Sequence, residues 1–448
     1  MTALPFLDRA DPSAKCLRDD SSVDWITYGE LRQRASEWQE RLECEQALVF
    51  LYAFNDVASV AALMGALSAG HAVALLDPNL PAATKSALHD LYSPEFIIDC
   101  GAARQIIAND RHGSTVHPEL CLLLSTSGST GSPKFVRLTL GNILSNAGAI
   151  AEVLNTQSTS VAAAHLPLHY SFGMSVLTSH LFAGAAIRLT KSGFMDRSFW
   201  GEMKAAGITQ LQGVPFHFQM MEKLGYGRID LPDLTTLVQA GGHLDVDSRW
   251  KAHRFMEERE GSFCVMYGQT EASPRMTTLS HQDFPSAPAS VGPALPGGSL
   301  EIEDSDEDGR GEILYRGPNV MMGYAECRED LAKGDELCGL LRTRDLGFLD
   351  EAGRLTLTGR ASRSGKVYGL RVNLDEVEKL ANSACACAVI QCGEGLCIFH
   401  ERGGSGDLQQ LLNARFTLPA AAYRFIAIDR IPRTERGKID YRALQELA

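Results

Sequence analysis

The chain has 448 residues, of which 45% are hydrophobic and 22% charged, and its formal charge is −13. That length exceeds what one ordinary hydrophobic core organises, so two or more domains are expected. The acidic balance argues against nucleic acid or an anionic membrane surface as a partner, while leaving room for a phosphate site built from local donors.

The N-terminus, MTALPFLDRADPSAK, lacks a basic start followed by an apolar stretch, so it reads as no secretory signal. No run approaches the roughly 20 apolar residues of a membrane span. The longest apolar-rich piece, Val57 to Leu76, is expected to be a helix followed by a strand. In TYGELRQRASEWQERL the apolar residues fall at helical spacing, with Thr27 and Glu30 as a capping pair. ALVFLYAF and HAVALLDP read as buried parallel strands, and AAIRLT, ITQLQGVP, TTLVQAGG and SFCVMYGQ continue the alternation. Strand and helix in turn predict an α/β fold with helices covering a largely parallel sheet. From about Val291 the texture changes, and EIEDSDEDGRGEILYRGP and DLGFLDEAGRLTLTGR predict hairpins with Asp/Gly turns. We expect a large N-terminal domain over 1–359 ending in this β-rich part, a hinge at 360–363, and a small mobile α+β domain over 364–448.

Eleven cysteines without a signal peptide point to reduced thiols in a cytoplasm. Cys385, Cys387, Cys392 and Cys397 cluster, but their spacing fits no tetrahedral metal signature. AVIQCGEGLCIFH reads instead as strand, turn and strand with buried thiols.

The motif LLLSTSGSTGSPK, Leu122 to Lys134, is the strongest chemical signal. Glycines and small hydroxyl residues after an apolar strand let the backbone curl with its N–H groups inward. Thr126, Ser127, Ser129 and Thr130 add hydroxyls and Lys134 a positive charge, which together suit a polyphosphate. A P-loop would need Gly-Lys-Ser/Thr, whereas here Pro133 and Phe135 flank the lysine. A plain flexible Ser/Gly loop is the structural alternative. Tyr267-Gly268-Gln269-Thr270-Glu271 follows an apolar strand, and Glu271 offers an oxygen ligand for Mg²⁺. Arg344-Asp345-Leu346-Gly347 with Gly359-Arg360 supplies a carboxylate for ribose hydroxyls and a nearby arginine. Near the C-terminus, PRTERGKID places Lys438 on a Gly-containing loop; taken alone that would be a solvated turn.

In this order the motifs STSGSTGSPK, YGQTE, TRDLG with GR, GLRV and GKID resemble those of the adenylate-forming superfamily of acyl-CoA synthetases, peptide-synthetase adenylation domains and luciferases. The resemblance runs from about Tyr28 to Leu444 and includes TYGELRQRA and ALLDPNLP. It implies that Thr126, Ser127, Gly128, Ser129, Thr130 and Gly131 wrap the β- and γ-phosphates of ATP with Lys134 behind them. Gly241, Gly242, Tyr267, Gly268 and Gln269 would border the nucleotide, Thr270 would touch the α-phosphate, and Glu271 would hold Mg²⁺. Asp345 and Arg360 would hold the ribose, and Lys438 would bridge the carboxylate and the α-phosphate. The family's second half-reaction would bring Gly369, Leu370 and Arg371 to a thiol channel after the small domain swings. The acyl pocket would draw on Tyr170, Phe172, Gly173, Val176, Gly213 and Val214. Pro215, His217 and Phe218 follow closely.

The chain departs from the family's pattern at two places. Ser362 stands where an acid or lysine is usual at the hinge, so no charge-based role is assigned to it. Tyr170 occupies a position usually held by histidine, with His169 one place earlier. HYSFGMSVLTSH contains no acid to pair an α-ammonium group, which disfavours a free α-amino acid. The chain ends within a few residues of GKID, so a freestanding enzyme is expected, and an N-terminal part short for the family favours one of a specialised pathway. Its acceptor would be CoA or the phosphopantetheine of a separate carrier protein, and its substrate a small carboxylic acid. An amide ligase with an amine acceptor is the nearest alternative, then an amino-acid-activating domain. A non-catalytic nucleotide-binding protein is disfavoured by the intact Lys438, Glu271 and hydroxyl loop.

Overall fold

The computed structural model describes residues 5–100, 105–108, 115–125, 134–360, 364–367, 370–393, 395–401, 405–416, 418–434 and 439–448. They form two compact units. The first takes in Met1–Leu300, Tyr315–Leu341 and Ala352–Arg354, and the second Glu301–Leu314, Arg342–Glu351 and Leu355–Ala448.

Two sheets organise the first unit. One has seven strands in the order Gly323–Ala325, Phe135–Thr139, Leu120–Ser125, Ala72–Leu76, Leu48–Tyr52, Phe96–Asp99 and Gln105–Ala108. Its centre is parallel: Leu48–Tyr52 pairs Ala72–Leu76 on one side and Phe96–Asp99 on the other. Every side chain of those two central strands is buried, which is why their sequence reads as continuous apolar runs. The other sheet has eight strands, ordered Arg275–Leu279, Ser262–Gly268, Thr236–Gln239, Gln210–Gly213, Val161–Ala164, Ala186–Leu189, Lys15–Arg18 and Ile26–Thr27. It is parallel except at its edges, where Arg275–Leu279 and Ile26–Thr27 run antiparallel to their neighbours. Apolar side chains from both sheets and from helices Val57–Ser68 and Ser171–Phe182 share one core.

The expected helix begins where its cap requires. Thr27 Oγ1 accepts from Glu30 N at 3.1 Å and Glu30 Oε2 accepts from Thr27 N at 2.6 Å. Helix Tyr28–Arg41 follows. The stretch expected to be helix then strand is Val57–Ser68 followed by Ala72–Leu76.

In the second unit, strand Leu340–Leu349 pairs antiparallel with Leu355–Arg360, giving the expected hairpin. The C-terminal part carries a hairpin of Ser364–Val367 and Leu370–Asn373, and a three-stranded sheet of Cys387–Cys392, Gly395–Glu401 and Tyr423–Ile428. Helices Leu374–Asn382 and Ser405–Arg415 contribute to a core of their own. AVIQCGEGLCIFH is a strand, turn and strand; of the four clustered cysteines, Cys385 and Cys392 are only half-buried, whereas Cys387 and Cys397 are buried. Burial pushes both thiols up to about 12, so they stay protonated, as expected of structural cysteines. The fold is therefore α/β, with largely parallel sheets, covering helices, a β-rich part and a smaller C-terminal α+β part. Among the described residues no helix is long and apolar enough to cross a membrane.

Candidate active site

The site residues of the first unit gather at the C-terminal ends of the parallel strands, where open α/β sheets place ligands. Strand Ser262–Gly268 ends in Tyr267 and Gly268, and the chain turns at once into a single helical turn, Thr270–Ala272. Gly268 is needed there: a Cβ would lie 1.8 Å from the Pro274 carbonyl oxygen. Asn319 holds the turn from behind. Its Nδ2 donates to the carbonyls of Ala272 at 2.6 Å and Arg275 at 2.9 Å, and its Oδ1 accepts from Tyr315 at 2.9 Å. Gln269 Nε2 reaches the Tyr267 hydroxyl at 3.4 Å.

Glu271 and Lys134 meet about one ring. The Tyr324 hydroxyl donates to Glu271 Oε1 at 2.7 Å, and Lys134 Nζ lies 3.8 Å from the centroid of the same ring. A cation on the ring face withdraws electron density and makes the phenol a better donor to the carboxylate. Strand Gly323–Ala325 brings Tyr324 here by pairing antiparallel with Phe135–Thr139, directly after Lys134. The described bonds leave Glu271 Oε2 available, which suits a Mg²⁺ ion whose remaining oxygens come from phosphates and water. Thr270 Oγ1 sits 3.0 Å from Ser171 Oγ, linking the turn to the start of helix Ser171–Phe182.

That helix forms one wall of an apolar region. Gly241 has φ +77, and a Cβ on it would meet the Tyr170 hydroxyl at 2.8 Å, Val214 Cγ1 at 3.0 Å and Phe172 Cδ1 at 3.5 Å. Gly241, Tyr170, Val214 and Phe172 are thus brought together. Gly242 faces Pro215, and Gly213 faces Phe218 and His217. Val176 lies buried one turn along the helix from Phe172. Gly173 looks away, toward the Leu166 and Pro167 carbonyls, where a Cβ would come within 2.2 Å of oxygen. His169, largely buried, lies 3.7 Å from the half-buried Asp77. His217 Nδ1 accepts from Val214 N at 3.2 Å, and burial, reinforced by His165, depresses its pKa to about 2.

In the second unit the Arg360 guanidinium pairs with Asp345 at 2.6 Å, within a hairpin that sets the two residues opposite each other. Thr126, Ser127, Gly128, Ser129, Thr130, Gly131, Ser362, Gly369 and Lys438 lie outside the described residues. The backbones of Leu370 and Arg371 belong to the Leu370–Asn373 strand.

Motif reasoning passed over Tyr324, Ser171, Asn319 and Arg275. Only Ser171 and Arg275 stand close to a motif in sequence, and nothing local marks Tyr324. Arg275 is 4% exposed, and its guanidinium carbon lies 3.7 Å from the centroid of the Phe172 ring. Burial lowers its pKa to about 10, an effect opposed by nearby Tyr170, so it remains a cation at neutral pH.

The sequence model of the family described as AMP-binding enzyme matches residues 101–325. A linear gramicidin synthase of Brevibacillus parabrevis is 26% identical over 94% of this chain, which spans 6% of that protein. Oxalate–CoA ligase of Arabidopsis thaliana is 29% identical over 74% of this chain and 68% of its own length. O-succinylbenzoate coenzyme A synthetase (MenE) from Bacillus subtilis, solved in complex with ATP and magnesium ion, has the same fold. Its TM-score is 0.79 at 20% identity, covering 98% of this chain and 99% of that one. With its family's sequence pattern across half its length and the family fold across nearly all of it, the chain belongs to the AMP-binding enzymes of the adenylate-forming superfamily.

Proposed function

We propose that the protein activates a carboxylic acid as its acyl-AMP, with release of pyrophosphate, and then transfers the acyl group to a thiol. The observation that carries the reading is the Lys134–Tyr324–Glu271 arrangement beside Thr270 and the Tyr170–Phe172–Val214 pocket. It sets a cation and a carboxylate with an available oxygen beside the Tyr170, Phe172 and Val214 side chains gathered at Gly241, as a nucleoside triphosphate and an acid require.

When a carboxylate attacks the α-phosphorus, two anions approach and charge grows on pyrophosphate. Bound Mg²⁺ would supply electrostatic relief at the phosphates, with Glu271 as its protein ligand. Lys134 and the hydroxyl loop hold the leaving group, Thr270 the α-phosphate, and Asp345 with Arg360 the ribose. Gly241, Gly242, Tyr267, Gly268 and Gln269 border the nucleotide. Lys438 bridges the two reacting anions. No side-chain nucleophile is needed, so catalysis is positioning and electrostatics. For the second step the C-terminal domain turns about 360–363, withdraws Lys438 and presents Gly369, Leu370 and Arg371 to the thiol of CoA or of a carrier protein's phosphopantetheine.

Acid-dependent ATP–pyrophosphate exchange, screened over aryl, fatty, hydroxy, amino and dicarboxylic acids, tests the first step. Lys438→Ala should lose acyl-AMP formation by at least about 100-fold while still forming thioester from synthetic acyl-AMP. Exchange with no acid, despite bound ATP, would sink the adenylation reading; equal loss of both half-reactions would sink the domain alternation.

A further inference from the structure

Five arginines are buried among the described residues: Arg137, Arg188, Arg249, Arg275 and Arg328. Four have protein acceptors. Arg137 pairs with Glu336 at 2.5 Å, Arg188 with Asp20 at 2.8 Å and Glu202 at 3.1 Å, and Arg328 with Glu95 at 2.6 Å. Arg249 donates to the Ser290 carbonyl at 2.9 Å and the Pro288 carbonyl at 3.2 Å. Arg275 is different. Its Nε is buried without an acceptor, as are those of Arg188 and Arg249, but among the described residues Arg275 alone of the five has no hydrogen bond or carboxylate on any nitrogen of its guanidinium.

Phe172 does not make up the deficit. A desolvated cation–π contact recovers only part of what burying an ion costs. The guanidinium therefore lacks a counter-charge, and it lies against the residue that walls the acyl pocket.

A second polar group points the same way. Both amide atoms of Gln212 are buried without partners. His180 Nε2 meets Gln210 Oε1 at 3.0 Å, so helix Ser171–Phe182 lies along strand Gln210–Gly213. One helical turn back from His180 is Val176, a step of about 5.4 Å. Two residues along the strand, on the same face, is Gln212, a step of about 6.6 Å. Gln212 thus belongs to the strand face that the pocket helix covers. An alkyl chain would leave Arg275 without a counter-charge.

We propose that Arg275 determines substrate specificity by binding a second carboxylate, at the far end of the acid that is adenylated, so that the substrate is a dicarboxylic acid. This rests on the adenylation reading. The incoming carboxylate supplies the missing counter-charge and is held by charge-assisted hydrogen bonds from a planar fork. The same cation repels an ammonium group, in keeping with the absence of an acid from HYSFGMSVLTSH.

The test compares dicarboxylic acids with their half-esters and chain-matched monocarboxylic acids, in wild type, Arg275→Met and Arg275→Lys. Exchange kinetics and thermal shift with a non-hydrolysable ATP analogue are both measured. Wild type should prefer a dicarboxylic acid to its half-ester by about 100-fold in kcat/KM, the usual scale for one partner of a buried charge pair. Arg275→Met should lose that preference, mostly through KM, while keeping exchange with the monocarboxylic acid. Arg275→Lys should fall between. Arg275→Met should melt no lower than wild type, because it removes an uncompensated buried charge. Exchange that is blind to the second carboxylate, or a preference unchanged in Arg275→Met, overturns the inference and leaves adenylation standing. If no acid supports exchange, adenylation fails, and the thermal shifts alone decide Arg275. A dicarboxylate that stabilises wild type but not Arg275→Met upholds it; equal shifts overturn it.

Discussion

Tyr324 shows how much one side chain can organise. Its hydroxyl fixes one oxygen of Glu271, and its ring carries Lys134 on its face. Tyr324→Phe removes the hydroxyl and keeps the ring. A hydrogen bond to a charged group contributes about 1.5–3 kcal/mol, so the Mg²⁺ concentration for half-maximal exchange should rise by about ten-fold or more. KM for the acid should hardly move, because Tyr324 is not among the groups around Gly241. Titrating Mg²⁺ at saturating ATP checks this. An unchanged Mg²⁺ requirement would remove Glu271 from the metal site, or Tyr324 from its control.

Elements, rather than residues, place the turn that follows strand Ser262–Gly268. The segment from Thr270 to Arg275 has almost no regular structure, and Asn319 ties it down through two backbone carbonyls. Asn319→Ala leaves the Ala272 carbonyl and the Tyr315 hydroxyl unsatisfied, while the Arg275 carbonyl keeps Asn146 Nδ2 at 2.8 Å, and each unsatisfied buried group costs about 1–3 kcal/mol. The first unit should therefore be destabilised by about 3 kcal/mol or more, with exchange activity falling even below the unfolding temperature. Urea denaturation alongside exchange assays measures both. Activity that tracks only the folded fraction would show that the turn holds its shape without Asn319. The same contrast explains what the sequence revealed. The parallel strands were legible because burial on both faces forces continuous apolar runs, as in Leu48–Tyr52, and the helix start because Thr27 and Glu30 stand three apart. The motif residues Thr270, Glu271 and Lys134 were legible too, but their common partner was not. Tyr324 arrives on an antiparallel edge strand from nearly two hundred residues away, and Arg275 acquires its meaning only when a distant helix lays Phe172 over it. Such long-range pairings leave no local periodicity to read.

At the scale of the molecule, the first unit carries a pH liability in its core. His180 and His217 are buried there and His165 half-buried, and desolvation depresses the pKa values of His165, His180 and His217 to about 4, about 4 and about 2. The sign follows from the neutral form being the folded one. Above pH 6.5 both folded and unfolded chains hold these rings neutral, and the full stability is present. As pH falls below 6.5 the unfolded chain takes up protons that the folded chain refuses, so stability is lost progressively down toward pH 4. Each ring contributes about 1.4 kcal/mol per pH unit within that window, or about 4 kcal/mol per unit for the three together, a large share of a domain's usual 5–15 kcal/mol. Depressed carboxylates such as Asp330, held at about 2 chiefly by its bond to Lys333, act only below about pH 4 and do not blur the window. Calorimetry between pH 7.5 and 5 should show the first unit's transition moving steeply down with acid and at least three protons bound on unfolding, since burial also lowers His71, His89 and His281. His180→Gln keeps a polar group opposite Gln210 and should reduce that number by about one. A transition that stays level across this range would mean that the folded core accepts the protons, and that these imidazoles are not held neutral.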